Sequence, residues 1–437
     1  MNVDTIEPES VEQVTNPLWG QSPFKRIDVA RYISPEHVKL ERDRLWPNVW
    51  QMACREEEIP NHGDYFEYQI LDQSILIVRT SSGKIKAYFN SCPHRGTQLA
   101  KGCGNVTQFT CPFHGWRWSL EGENRYVHDR AEFPGLKDED LRLPECRVGS
   151  WGGFVFVKLA DGGPSLDEYL APMVALLAPY RLEEYRINFW RSAILGANWK
   201  TALEAFEESY HHMGTHPQVL SGCCEVTGTY ENFGAHSRMI IPTGIPSAHF
   251  RDRVSEHEVL EAAIENLIAV NLVGKEQRRV VEEMLARPLP EGMTTRTVCQ
   301  AMTQDVLSRF LPDVPVDQYL DDWNLTIFPN YVINLLPANV FSFLARPNGS
   351  DPDSCIFDVI SLRHPCGGVV ERVNREKITD PNYDWGTVLN QDWVNMPRVQ
   401  QGMHQRTTKQ TRLASYQEKR IVNRMTHMDK YFEQFKD

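Results

Sequence analysis

The chain has 437 residues and a formal net charge of −12, with 41% hydrophobic and 24% charged residues. This composition supports a folded chain of two or three domains and excludes a disordered one, and the acidic balance argues against a nucleic-acid partner. No apolar run approaches the roughly 18 residues of a membrane helix, and the opening MNVDTIEPES lacks the basic and apolar regions of a signal peptide, so the expectation is a cytoplasmic protein without membrane contact.

Residues 1–44 are polar, with a short helical stretch around His37–Leu45, and read as an arm packing on the rest. Residues 45–165 read as β. Ser74–Thr80 and Lys84–Asn90 flank Ser81-Ser82-Gly83, a hairpin signal. Trp118-Ser-Leu, the Glu121-Gly122 turn and the GGFVFVKLA run at 152–160 continue the pattern, and Gly162-Gly163-Pro164 marks a boundary. Residues 166–437 mix the helical and strand periods. Ser255-x-x-Glu258 is a capping-box signal ahead of Leu260, Ile264, Leu267 and Ile268, whose helical spacing runs until Gly274. Met302, Val306, Leu307 and Phe310 form another apolar face. Strands are predicted at Asn324–Phe328, Tyr331–Leu336, Val340–Ala345 and Cys355–Leu362, and helices at Gln391–Met403 and Ala414–Phe435.

Of the ten cysteines, Cys54, Cys103, Cys146, Cys223, Cys224, Cys299, Cys355 and Cys366 show no paired ligand spacing, and the adjacent Cys223–Cys224 read as small residues in a loop. The other two stand in Cys92-Pro-His94-Arg-Gly and Cys111-Pro-Phe-His114-Gly-Trp, with sixteen residues between His94 and Cys111. Two thiolates and two imidazoles would satisfy tetrahedral zinc. The C-x-H grip is tighter than a zinc finger's. Mixed pairs also suit a [2Fe–2S] cluster with two cysteines on one iron and two histidines on the other. CPHRG…CPFHGW closely resembles the Rieske signature, and residues 45–165 resemble the whole Rieske domain.

A second set lies in Asn198-Trp-Lys200…Glu204…Glu208-Ser-Tyr210-His211-His212-Met-Gly-Thr-His216. Non-haem oxygenases hold Fe(II) with two histidines and one carboxylate, leaving positions open. On the residues alone, His211/His216 and the helical pair His212/His216 are equally good. The stretch is similar to the catalytic-domain motif of ring-hydroxylating oxygenase α subunits, and the resemblance selects His211 and His216. It also implies Asp392 as the third ligand, ahead of a V-Q-x-G-[LM] tail at Val399–Met403, although Gln391 stands where the family often has Glu; Asp380 and Asp384 are fallback candidates. Glu208 is implied as the carboxylate linking this iron to the Rieske site of a neighbouring subunit, with Asn198 and Tyr210 as further site residues. Glu207 and Glu204 are expected to matter less.

Over about residues 40–437, the resemblance implies an α+β chain. It would comprise an arm (1–44), a Rieske domain (45–165) and a helix-grip catalytic domain (166–437) with an antiparallel sheet around a long helix. The strands at 324–345 and helices at 255–312 would wall a pocket with Ile327, Phe328, Val332, Leu335, Phe341 and Phe343. The implied cofactors are one [2Fe–2S] cluster and one mononuclear Fe(II). The implied assembly is a homotrimer, with or without a β subunit. No G-x-G-x-x-G segment follows a strand and opens a helix. A reductase, with or without a ferredoxin, is therefore expected to bring electrons from NAD(P)H. The main functional expectation is oxygenation of an apolar aromatic or polycyclic substrate. The alternatives are oxidative N- or O-demethylation and a non-enzymatic electron carrier.

Overall fold

The computed structural model describes residues 14, 16–250, 253–269, 289, 291–336, 338–371 and 373–436. They form two compact units. One takes Lys39–Ala175, Leu182–Glu184 and the chain from Tyr431; the other takes the described residues up to Val38, Leu176–Arg181 and Tyr185–Lys430. The Gly162–Pro164 turn is therefore internal to the first unit, not a boundary. Arg147 and Lys158 donate to the Gly162 carbonyl, and Arg147 also donates to Pro164 at 3.0 Å, tying the turn back to its sheet.

In chain order the arm supplies β1 (Lys25–Asp28), α1 (Ala30–Ile33) and α2 (Pro35–Leu40). The first unit's strands are β2 (Gln51–Arg55), β3 (Asp64–Ile70), β4 (Gln73–Arg79), β5 (Ile85–Phe89), β6 (Cys103–Asn105), β7 (Phe109–Thr110), β8 (Arg117–Trp118), β9 (Asn124–Tyr126), β10 (Glu145–Trp151) and β11 (Phe154–Lys158), followed by α3 (Leu166–Leu177). They build an antiparallel seven-stranded sheet ordered β2-β11-β10-β5-β4-β3-β6 and a small β7-β8-β9 sheet. The β4–β5 hairpin closes where Thr80 donates to Lys84 at 2.8 Å. The uninterrupted FVFVK of β11 is buried at all five positions, which is why it does not alternate. Leu76, Tyr88, Phe109, Trp118, Leu141 and Leu143 form a core that includes Cys92 and Cys111.

The second unit holds β12 (Arg186–Leu195), α4 (Trp199–Glu204), α5 (His212–Thr215), β13 (Thr229–Phe233), β14 (His236–Ile241), α6 (Glu256–Ala269), α7 (Thr295–Leu307), β15 (Asp322–Ile327), β16 (Tyr331–Leu336), β17 (Asn339–Asn348), β18 (Asp351–Arg363), β19 (Glu376–Lys377), α8 (Thr387–Met403), β20 (Gln410–Leu413) and α9 (Lys419–Gln434). Its eight-stranded sheet runs β13-β14-β15-β16-β17-β18-β12-β19, and β1 pairs with β20. Ser255 and Glu258 make the reciprocal bonds of the capping box that starts α6; Gly274 lies outside the described residues. The last helix begins at Lys419 rather than Ala414 because the Glu418 carboxylate accepts the Ala414 N–H at 2.5 Å after β20 ends.

The register separates the expected pocket residues. Thr326 pairs with Val332 and Val332 with Phe343, so these share a face with Asn324 and Phe341. Trp323 pairs with Leu335, which places Leu335, and with it Ile327, on the opposite face, while Phe328 leaves the strand at a cis Pro329. Among the described residues no helix is long and apolar enough to cross a membrane.

Candidate active site and its metal-binding residues

The first donor set sits on two loops with one hydrogen-bond plan. Cys92 N–H donates to Thr97 at 2.9 Å and Gly96 N–H to Cys92 at 2.8 Å; Cys111 N–H donates to Trp116 at 2.8 Å and Gly115 N–H to Cys111 at 3.0 Å. Each six-residue loop turns on a glycine with positive φ, +78° at Gly96 and +73° at Gly115, where a side chain would strain the backbone. The histidine occupies the third place in one loop and the fourth in the other. The two imidazoles nevertheless meet, with ring centroids 4.6 Å apart, and His94 stacks on the buried Trp116 at 4.7 Å. Burial works against the Cys111 thiolate, but backbone N–H groups of His114 and Phe113 outweigh it and lower its pKa. Burial, then His114 and Arg95, lowers His94 and keeps it neutral, the form that ligates. The Nδ1 atoms of both histidines are buried without a hydrogen-bond partner. A buried unsatisfied nitrogen costs about 1–3 kcal/mol; ligation to an iron–sulfur cluster removes that cost, so the residues fit the group.

The second set comes from three elements. His211 precedes α5, which ends after one turn at His216 (φ −125°, ψ 50°), bringing the two rings to 5.0 Å between centroids. Asp392 lies in the buried row Leu389, Asp392, Met396, Gln400 and Met403 of α8, a carboxylate placed where the helical period calls for an apolar residue. The ligand atoms of His211, His216 and Asp392 lie within 4.8 Å of one another. His216 Nε2 is 2.9 Å and His211 Nε2 3.8 Å from Asp392 Oδ1. The outward nitrogens are also held: His216 Nδ1 meets Gln391 Oε1 at 2.7 Å, and His211 Nδ1 meets Glu208 Oε1 at 2.7 Å. Such partners fix the tautomer and aim the opposite lone pair at a metal. Burial alone would lower the His211 pKa, but Glu208 and Asp392 reverse it and raise it to about 9. The site favours a positive charge, which a divalent cation supplies.

The structure brings His211, not His212, into the ligand group; burial and the two neighbouring histidines hold His212 well below its usual pKa and neutral. Asp380 and Asp384 are exposed and accept turn N–H groups from Asn382 and Gly386, so neither fallback joins the set. Asn198 is not placed to face a reacting group. Its Oδ1 caps α4 by accepting from Lys200 N–H at 3.1 Å, and its amide hydrogens go to the carbonyls of Tyr32 and Pro352, each at 2.8 Å. Tyr210 is 60% exposed and stands outside the ligand group. Glu207, expected to matter less than Glu208, is fully buried and paired with Arg424 at 2.9 Å. The sequence reading missed Gln391 as a histidine acceptor, and Gln218, which donates to the same Oε1 at 2.7 Å. It also missed Arg420 and Arg424; their signal was two arginines one turn apart, beside the apolar row Ile421, Met425, Met428 and Phe432 of α9.

Residues 49–137 match the Rieske [2Fe–2S] domain family, and residues 180–434 match the family described as ring hydroxylating alpha subunit, catalytic domain. The chain is 30% identical over 269 residues to the glycine betaine monooxygenase oxygenase subunit of Chromohalobacter salexigens, covering 61% of this chain and 56% of that protein. It is 31% identical over 198 residues to the N,N-dimethyl phenylurea N-demethylase subunit alpha of Sphingobium sp., covering 41% and 43%. The matches thus span about half the length of these relatives. The crystal structure of a quaternary ammonium Rieske monooxygenase with L-carnitine superposes with a TM-score of 0.66 at 14% identity, over 93% of this chain and 95% of that one, a likeness of fold. Two thiolates with two imidazoles, and two imidazoles with a carboxylate, are the donors for a [2Fe–2S] cluster and a mononuclear iron. The catalytic-domain match covers more than half of the sequence, and the chain belongs to the ring-hydroxylating α-subunit family of Rieske oxygenases.

Proposed function

We propose that the chain is the terminal oxygenase of a multicomponent system that hydroxylates a methyl group on nitrogen, removing it as formaldehyde. The observation that carries oxygenase activity is the His211/His216/Asp392 group on a chain that also holds a Rieske donor set, and the N-methyl substrate rests on the relatives. When bound, the cluster supplies single electrons and the iron activates O₂. The balance is R₃N⁺–CH₃ + O₂ + 2e⁻ + 2H⁺ → R₃N⁺–CH₂OH + H₂O, after which the C–N bond breaks to give R₃N, formaldehyde and a proton. Glu208 and Gln391 orient the two histidines throughout. Phe206, two residues before Glu208, stacks on Phe343 at 3.8 Å, and Trp393, beside Asp392, meets Phe357 at 5.7 Å. Aromatic faces attract an ammonium cation, and relatives acting on glycine betaine and a dimethylated phenylurea support an N-methyl substrate.

Ring hydroxylation is the second reading, favoured by the same aromatic surface and by the family's description. In either case a reductase delivers the electrons, and a homotrimer would let Glu208 and the exposed Tyr210 meet a neighbouring subunit. The test reconstitutes the chain with a Rieske-oxygenase reductase and NADH. Glycine betaine and N,N-dimethyl phenylurea are offered beside biphenyl. Formaldehyde equimolar with O₂ consumed is the expected result; a dihydrodiol from biphenyl without formaldehyde from either N-methyl compound selects the second reading. The chain alone is expected not to oxidise NADH.

A further inference from the structure

The turn between α4 and α5 carries two successive carboxylates that point to different partners. Glu208 holds His211 through both oxygens, Oε1 to Nδ1 at 2.7 Å and Oε2 to the backbone N–H at 3.0 Å. Glu207 is fully buried on the other side of the turn. There Arg424 Nε donates to Glu207 Oε2 at 3.0 Å and Arg424 Nη2 to Glu204 Oε1 at 2.9 Å, so one guanidinium spans the end of α4 and the turn after it. Glu207 Oε1 accepts from Thr326 Oγ1 at 3.1 Å, and the Phe206 carbonyl accepts from Asn324 Nδ2 at 2.9 Å, which fastens the turn to β15 at two points. Arg420, one helical turn before Arg424, donates to Asn324 at 2.7 Å and Thr326 at 2.8 Å. Both arginines are at most 1% exposed.

We propose that Arg424, acting through Glu207, is a positioning residue for the Glu208–His211 pair, so that α9 sets the orientation of one iron ligand. The physical link is short. Glu208 shares a peptide bond with Glu207. A carboxylate gripped by a buried guanidinium and a hydroxyl cannot shift without breaking charge-assisted bonds in a dry setting. Releasing it lets the turn relax, and the Glu208–His211 contacts lengthen with it. Arg420 braces the two β15 side chains against which the turn rests. Nothing in this requires a particular substrate, so the inference stands or falls apart from the N-demethylation reading.

The test uses the full chain with its cluster oxidised and the second site loaded with Fe(II). Iron affinity is measured by competition with a chelator. Ligand geometry is read from the S = 3/2 EPR signal after adding nitric oxide, where the oxidised cluster is silent. Glu207→Gln and Arg424→Gln are expected to weaken Fe(II) binding about tenfold, the lower end for loss of a ligand's supporting shell, and to change the rhombicity of the signal. Thr326→Val should shift both in the same direction by less. Arg31→Gln is the control. It breaks a different ion pair of α9, to Asp429 at 2.5 Å, and should lower thermal stability while leaving affinity and signal unchanged. If Glu207→Gln or Arg424→Gln does not fold, Arg424→Lys keeps the charge but loses the fork and carries the same expectation. Wild-type affinity and signal in the Glu207 and Arg424 variants, or equal changes in Arg31→Gln, would overturn the proposal.

Discussion

His216 stands between two unlike oxygens, the Gln391 amide oxygen that accepts from Nδ1 and the Asp392 carboxylate beside the Nε2 lone pair. Gln391→Leu is expected to weaken Fe(II) binding by about tenfold, measured by chelator competition. Gln391→Glu should bind at least as tightly as wild type, because a charged acceptor makes the imidazole a stronger donor. His211→Ala and Asp392→Ala should lose the second iron while keeping the cluster spectrum, whereas His212→Gln should keep both; iron loss from His212→Gln alone would reassign the ligand. The residues alone placed His216 and a histidine four or five positions before it, across Gly214, but could not decide between His211 and His212. Asp392 was legible only by resemblance, since a carboxylate in a buried helical row looks like any helix aspartate until its partners 176 residues away are known. The burial of Glu207 was not legible for the same reason: the arginine paired with it lies 217 residues downstream.

The two cluster loops show how far local pattern carries. Strand, tight turn and glycine are all short-range features, and the β4–β5 hairpin and both Cys–His loops were readable from them. Gly115→Ala tests the loop itself. At φ +73° with no atom within 4 Å of the added methyl, the penalty is backbone strain alone, about 1–2 kcal/mol. A lower thermal midpoint with the cluster's absorption retained is expected, while Cys92→Ala or His114→Ala should abolish that absorption. The strands β12 and β13 escaped notice because they lack the alternation that marks a half-buried strand; β14 does alternate, but its buried row includes Ser237 while the apolar Ile240 lies on the other face. β12 buries every third residue over much of its length, and β13 is a polar edge strand that buries only Tyr230. Their pairing comes from sheet neighbours distant in sequence.

Among the described residues, partly buried acids contribute to the pH response. Burial is the largest cause raising Glu204, Asp322 and Glu418 to about 7, and His211 stands at about 9. Each group holds a proton in the folded chain that it gives up in the unfolded one. The two glutamates do so between about pH 4.5 and 7, Asp322 between about pH 4 and 7, and His211 between about pH 6.5 and 9. Stability therefore falls as pH rises through these windows. His94, His212 and His427, lowered chiefly by burial, act in the opposite sense below about pH 6.5. With the second iron removed, the thermal midpoint should be lower at pH 8 than at pH 6.5; an equal or higher midpoint at pH 8 would contradict the assignment. The pairing of β1 with β20 carries a consequence for the order of assembly during synthesis. Apart from Leu182–Glu184 and the chain from Tyr431, the cluster-bearing unit is made by Ala175, whereas the arm's Tyr32, which bonds to Glu204 and receives the Asn198 amide, belongs to a unit that extends to Lys430. At roughly 5–20 residues per second, the ribosome needs on the order of 13–50 seconds to cover that interval. A nascent chain paused between these points would hold a cluster-ready domain, while the arm waits for β20 and the iron ligands wait for Asp392.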